Sequence, residues 1–172
     1  MKIVLFPDPV LRRGTKAVED TSGWKERARE MLDLMYETQG VGLAAPQVGI
    51  SEAVLVLNPS GDKDKPDEEL VLVNPRIVSK KGKEWGAEGC LSFPGIYGEV
   101  QRAIKIVVHA QALDGAPIEF VAEEFLARVI QHEMDHLAGI VFTDRFSPAD
   151  KIRTRNQLEE LEERWRSEHA AR

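Results

Sequence analysis

Apolar residues recur at helical spacing early in the chain, where Trp24, Ala28, Met31 and Met35 share one face with Leu32 beside them. The pattern predicts a helix over 24–38, with Ser22 as N-cap and Gly40 and Gly42 breaking it. Residues 53–57 form a short apolar run, a candidate buried strand. Residues 59–69 are polar, rich in Lys and Asp and interrupted by Gly61 and Pro66, so they read as a surface loop. Residues 70–73 and 76–79 look like short strands on either side of Asn74-Pro75. Residues 105–113 and 117–122 flank Asp114-Gly115-Ala116, which is a hairpin signal.

Helical spacing returns over 123–137, with apolar positions around most of the circumference. Phe125, Val129, His132 and His136 lie along one stripe. Leu126, Ile130 and Leu137 lie along its neighbour, extended by Met134, and Glu124, Arg128, Gln131 and Asp135 make up the polar remainder. A helix this apolar belongs in the core. Ser147-Pro148-Ala149-Asp150 then opens a last helix, over 148–170, with Ser at the N-cap, Pro at N1 and an acid at N3. Neither an internal repeat nor a linker is visible. The order predicts a single α+β domain over 1–172: short antiparallel strands packed around a buried central helix, with an N-terminal and a C-terminal helix.

Composition narrows the class. Of the 172 residues, 42% are hydrophobic, enough for a packed core. The 23 Lys+Arg against 29 Asp+Glu give a formal charge of −6, which weighs against a broad nucleic-acid-binding face. The single cysteine, Cys90, excludes an intrachain disulfide framework. The N-terminus lacks the long apolar core of a signal peptide, and no run approaches the roughly 20 residues of a membrane span. The expected location is the cytoplasm.

The strongest chemical signal is His132-Glu133-Met134-Asp135-His136, an H-E-x-x-H sequence on the buried helix. Spacing i, i+4 sets both imidazoles on one face, where they can share a metal. Glu133 is rotated by about 100° around the helix, close to the metal without being an obvious ligand, where a general base belongs. Two core histidines with an ion-paired glutamate are the ordinary alternative. Burying three such groups without a partner is expensive, however. A catalytic site needs a third protein ligand and an open position. His109 falls in a strand candidate and His169 in the C-terminal stretch. Cys90, in Glu88-Gly89-Cys90-Leu91-Ser92, is better placed, because a thiolate suits Zn²⁺ or Fe²⁺. A buried hydrophobic cysteine and a nucleophilic one are the other readings. Gly40-Val41-Gly42-Leu43-Ala44-Ala45-Pro46-Gln47 is glycine-rich but lacks the third glycine of a dinucleotide loop. It reads as a tight connection, or as backbone packed close to a ligand.

Together, Gly40-x-Gly42-Leu43-Ala44-Ala45-x-Gln47, Glu88-Gly89-Cys90-Leu91-Ser92 and Gln131-His132-Glu133-x-Asp135-His136 resemble, in order, the three signature motifs of the peptide deformylase family. The H-E-x-x-H sequence is shared with many metallopeptidases; the cysteine segment narrows the match.

The resemblance implies that Cys90, His132 and His136 bind one divalent metal, typically Fe²⁺, with Zn²⁺, Ni²⁺ or Co²⁺ as substitutes. The implied reaction removes the formyl group from N-terminal formyl-methionine of new polypeptides and releases formate. Glu133 would act as base, with the Gln47 amide and the Leu91 backbone N–H stabilising the oxyanion. Gly42, Leu43 and Leu91 are expected to wall off larger acyl groups. Phe125 and Val129 are expected to line the methionine pocket, with Gly89 at the substrate site and the Val41 and Gly42 backbone holding the peptide in strand fashion. Val129→Asp is then expected to raise KM. Tyr97 stands where some relatives carry a basic residue. Ribosome contact would fall to the C-terminal helix, but 151–172 holds six Lys+Arg and five Asp+Glu and reads as a solvated charged face. A monomer is the default, without membrane contact or sequence-specific nucleic-acid binding. A general zinc peptidase and a non-catalytic metal module are the rival readings.

Overall fold

The computed structural model describes residues 1–170. In chain order the elements are α1 (Trp24–Glu37), β1 (Gly42–Ala44), β2 (Val54–Leu57), β3 (Leu70–Lys81), β4 (Glu84–Gly89), β5 (Tyr97–Arg102), β6 (Lys105–Gln111), β7 (Pro117–Glu123), α2 (Glu124–Leu137), α3 (Pro148–Arg153) and α4 (Arg155–His169). Strands β1, β2, β3, β6 and β7 form one sheet in that order, antiparallel throughout, and β4 pairs with β5 in a separate hairpin. This is the α+β arrangement expected from the sequence. No helix among the described residues is long and apolar enough to cross a membrane.

Side chains on a strand alternate between faces, and this alternation positions the core. On β2, Leu55 and Leu57 join the α2 side of the sheet, with Ala44, Val129 and Ile130. Val54 and Val56 join the α1 side, with Leu43, Met31 and Met35. Because helices cover both faces here, β2 is apolar at every position and fully buried. A third cluster gathers Leu11, Phe93, Val100, Phe142, Phe146 and Leu161, tying the N-terminal segment and α4 to the β4–β5 hairpin.

The sequence misplaces several boundaries for local reasons. The N-cap of α1 is Gly23, at φ +79°, not Ser22, whose hydroxyl donates to Asp20 instead. The two strands expected around Asn74-Pro75 are one, β3, with a register shift between Val73 and Arg76. Proline cannot donate to the ladder, and Asn74 sits at φ +48°. The Asn74 side chain replaces the lost pairing by accepting from Val18 N–H (2.8 Å) and donating to Gln111 Oε1 (2.9 Å). The single helix expected over 148–170 is two, α3 and α4, broken at Thr154. Ser147 caps α3 as expected, accepting from Asp150 N–H. Thr154 is fully buried and its hydroxyl donates to the Asp150 carbonyl (2.7 Å), a back-bond that bends helices.

The β4–β5 hairpin has no sequence forecast, because Glu84–Gly89 mixes glycines and charges without apolar alternation. Its stability depends on a close contact at Gly98, where an added Cβ would lie 2.7 Å from the buried Phe146 ring. Gly98→Ala should therefore cost about 1–3 kcal/mol by overpacking. Thermal unfolding followed by circular dichroism would show the lower midpoint; an unchanged midpoint would mean that Phe146 is not fixed there.

Candidate metal centre

Helix α2 delivers two imidazoles from one face, one turn apart, with ring centroids 5.2 Å from each other. The turn after β4 delivers Cys90, whose Sγ lies 3.4 Å from His136 Nε2. The ligand atoms of Cys90, His132 and His136 all lie within 4.8 Å of one another. Among the described residues this is the one cluster of His, Cys, Asp or Glu side chains with that spacing. His109 faces Glu119 across the β6–β7 pair, and His169 stacks on Trp165, so neither joins it.

The donor set fits a borderline-soft divalent ion such as Zn²⁺ or Fe²⁺: one sulfur and two imidazole nitrogens, with a fourth position left open. His132 Nδ1 lies 2.8 Å from Glu88 Oε1, so Nε2 is the nitrogen left for coordination. Burial drives His136 well below its ordinary value, in the neutral form a ligand requires. For His132 burial acts in the same direction, but the hydrogen bonds with Cys90 and Glu88 outweigh it and raise the group.

Glu88 anchors a buried ionic network that the sequence did not reveal. It accepts from Arg102 Nε and Nη2 (both 2.9 Å) and from Arg128 Nη1 (2.8 Å). Arg102 Nη1 also reaches Asp135 (2.5 Å), which Arg145 grips from the far side. Burial alone would raise Glu88, but the hydrogen bonds from His132 and Arg102 pull it down to about 2. Of the α2 positions expected to form its polar remainder, Gln131 and Asp135 are thus buried and Arg128 is half-buried against the hairpin, while Glu124 stays exposed. Within the fold, β5 alternates exposed and buried residues, and Arg102 occupies an inward position, which demands a buried acid.

Glu133 is buried beside the donor cluster, and its Oε2 has no hydrogen-bond partner among the described residues. Burial raises its carboxyl to about 7, against the opposing pull of His132. Gln47 accepts from Ala44 N–H through Oε1 (2.9 Å), which fixes the amide so that Nε2 points at Cys90 Sγ (3.5 Å) and Ser92 Oγ (3.3 Å). Gly42 is required by close approach: a Cβ there would lie 2.8 Å from Glu133 Oε1 and 3.0 Å from Val129 Cγ1.

A cavity of about 510 Å³ opens onto the cluster. Val41, Gly42, Gly89, Leu91, Phe125 and Val129 line it. Leu43 does not. Strand alternation turns it to the opposite face of β1, where it is buried against α1. Phe125 is 52% exposed at the cavity mouth, whereas Val129 is buried and shared with the core. Tyr97 also lines the cavity, its ring covering Gly89.

The family model for polypeptide deformylase matches residues 1–152. The chain is 45% identical over 165 residues to peptide deformylase 2 of Vibrio vulnificus, covering 92% of this chain and 96% of the relative. Its fold superposes on a variant of Arabidopsis thaliana peptide deformylase 1B with a TM-score of 0.96 at 38% identity, covering 99% and 93% of the two chains. For peptide deformylase from Plasmodium falciparum the TM-score is 0.94 at 39% identity, covering 98% and 99%. Three ordered motifs, one donor cluster and near-complete superposition agree: this chain belongs to the polypeptide deformylase family.

Proposed function

We propose that this chain hydrolyses the N-formyl group from formyl-methionine at the start of newly made polypeptides, releasing formate and a free amine. The observation that carries the reading is the Cys90/His132/His136 donor set, its histidines buried and Cys90 half-buried, with the unpartnered Glu133 Oε2 beside it. Cys90 Sγ and the two histidines would hold one divalent ion, for which Fe²⁺ is our assignment, with Zn²⁺, Ni²⁺ or Co²⁺ as substitutes. Such an ion would supply Lewis acidity and would make water a better nucleophile near neutral pH.

The protein's own groups do the rest. Glu133, with a carboxyl raised to about 7, takes the proton from the attacking water and returns it to the departing amine. The oriented Gln47 amide and the Leu91 N–H, which donates to no acceptor among the described residues, stabilise the oxyanion. Strand β1 is a sheet edge, so its free side can pair with an extended peptide at Val41 and Gly42. Gly42 and Leu91 form the wall against larger acyl groups, and Phe125 and Val129 line the methionine pocket beside Gly89.

Val129→Asp would place a carboxylate in the core, so its kinetics would be confounded by lost stability. Phe125→Ala is the cleaner probe. It should raise KM for formyl-methionyl peptides about tenfold, with kcat little changed, as loss of one apolar wall predicts. Unchanged KM would remove Phe125 from the pocket.

The partners proposed are formylated nascent peptides, met in the cytoplasm by a monomer. Arg153 donates to the Tyr97 carbonyl and pairs with Asp150, so the basic start of the last helices is partly engaged within the fold. The experiment is formate release from formyl-Met-Ala-Ser by anaerobically prepared protein, with its metal identified by elemental analysis. Stoichiometric formate is expected. None from metal-replete protein would overturn the reading.

A further inference from the structure

A second cavity, of about 720 Å³, opens between β3, the turn to β4, β5 and the C-terminal end of α2. It shares no lining residue with the metal-site cavity. Its charge is opposite to that of the chain as a whole, which is −6. Arg76, Lys80, Lys83, Arg102 and Arg145 line it, and Asp135 is the one carboxylate among them.

The cations fall into two groups. Arg102 and Arg145 both hold Asp135, at 2.5 and 2.6 Å, so the inner wall is an ion-paired guanidinium surface, with Arg102 itself only 4% exposed. Arg76, Lys80 and Lys83 are exposed at the rim, and among the described residues none has a carboxylate within ion-pair distance. Strand geometry and a tight turn hold three unpaired cations around one concavity, against their mutual repulsion. A multivalent anion would relieve that repulsion, and a single carboxylate would leave most of the surplus in place.

We propose that this cavity is a second binding site, for a polyphosphate group carried by a nucleotide or free. The volume lies in the range of small-ligand sites. Guanidinium and ammonium groups in one pocket suit phosphate oxygens. Ile77, Ala103 and Met134 supply apolar surface against which a nucleoside can lie. No aromatic side chain lines the cavity, so it lacks the stacking platform on which single-stranded RNA is usually held.

The test is calorimetric titration of the metal-loaded protein with GTP, with inorganic triphosphate and with a uridine decamer, at about 50 and about 200 mM salt. Saturable binding at one site is expected, weaker at the higher salt. Arg76→Glu/Lys80→Glu should weaken it by about tenfold or more, since both changes reverse rim charges. The same variant should release formate at the unaltered rate, because neither residue touches the metal-site cavity. Tighter binding of GTP than of triphosphate assigns a nucleotide; equal binding assigns free polyphosphate. Absence of saturable binding, or binding undiminished in the double variant, overturns the site. A decamer bound more tightly than either small ligand replaces it with an RNA contact.

Discussion

Glu133→Ala should lower formate release by about 10²–10⁴-fold, the usual contribution of a positioned acid–base group. The protein should keep its metal, because the donor cluster consists of Cys90, His132 and His136 without Glu133. The loss should therefore appear in kcat, with KM for formyl-Met-Ala-Ser changed little. Burial raises the Glu133 carboxyl to about 7, so near neutral pH it can both accept and return a proton. Its Oε2 is held by no donor among the described residues, which leaves that oxygen for water or substrate. The other oxygen is held against Gly42, where no larger residue fits without moving the carboxyl. Steady-state kinetics with metal content measured on the same sample would decide the point. Formate release undiminished in the metal-replete variant would remove Glu133 from the chemistry.

Arg102→Leu should be the most destabilising single change near the centre, at about 3–5 kcal/mol. It leaves the buried Glu88 and Asp135 carboxylates short of a partner that now bonds both. For a chain of this size the unfolding midpoint should fall by about 6–20 °C. Arg128 still reaches Glu88, and Arg145 still reaches Asp135, so the measured loss states how far these two can compensate. Metal affinity should fall as well, by about 10–100-fold, because Glu88 orients His132 through its Nδ1. Thermal unfolding and competition with a chromogenic chelator would read the two effects separately. A loss below about 1 kcal/mol would mean that the two remaining arginines suffice.

These two residues were unequally visible in the sequence. Glu133 announces itself, because the chemistry of H-E-x-x-H is local: four residues of helix set the spacing of the imidazoles, and the glutamate is adjacent. Cys90 carried a weaker signal and became informative only in combination with the two other motifs. Arg102 and Asp135 are far apart in sequence, and nothing local marks them as partners. Their pairing depends on the β4–β5 hairpin, whose glycine-rich first strand has little β character of its own. The same holds for the second cavity. Nothing local marks Arg76, Lys80 and Lys83; the turn at Gly82 and the ion-paired Arg102 and Arg145 set them around one space.

Leu43 shows the limit from the other side. It lies within a signature motif, yet a period of two along β1 points it away from the cavity that its neighbour Gly42 lines. Amino-acid order alone determined the helical and strand periods, the metal-ligand spacing on α2 and the family motifs, since each depends on residues within a few positions of one another. Tertiary structure decided which face of β1 meets the metal site, which buried acid holds Arg102, where Thr154 divides the last helix, and where unpaired cations converge. Those outcomes depend on desolvation and on contacts between distant segments, and only the packed fold brings such segments together.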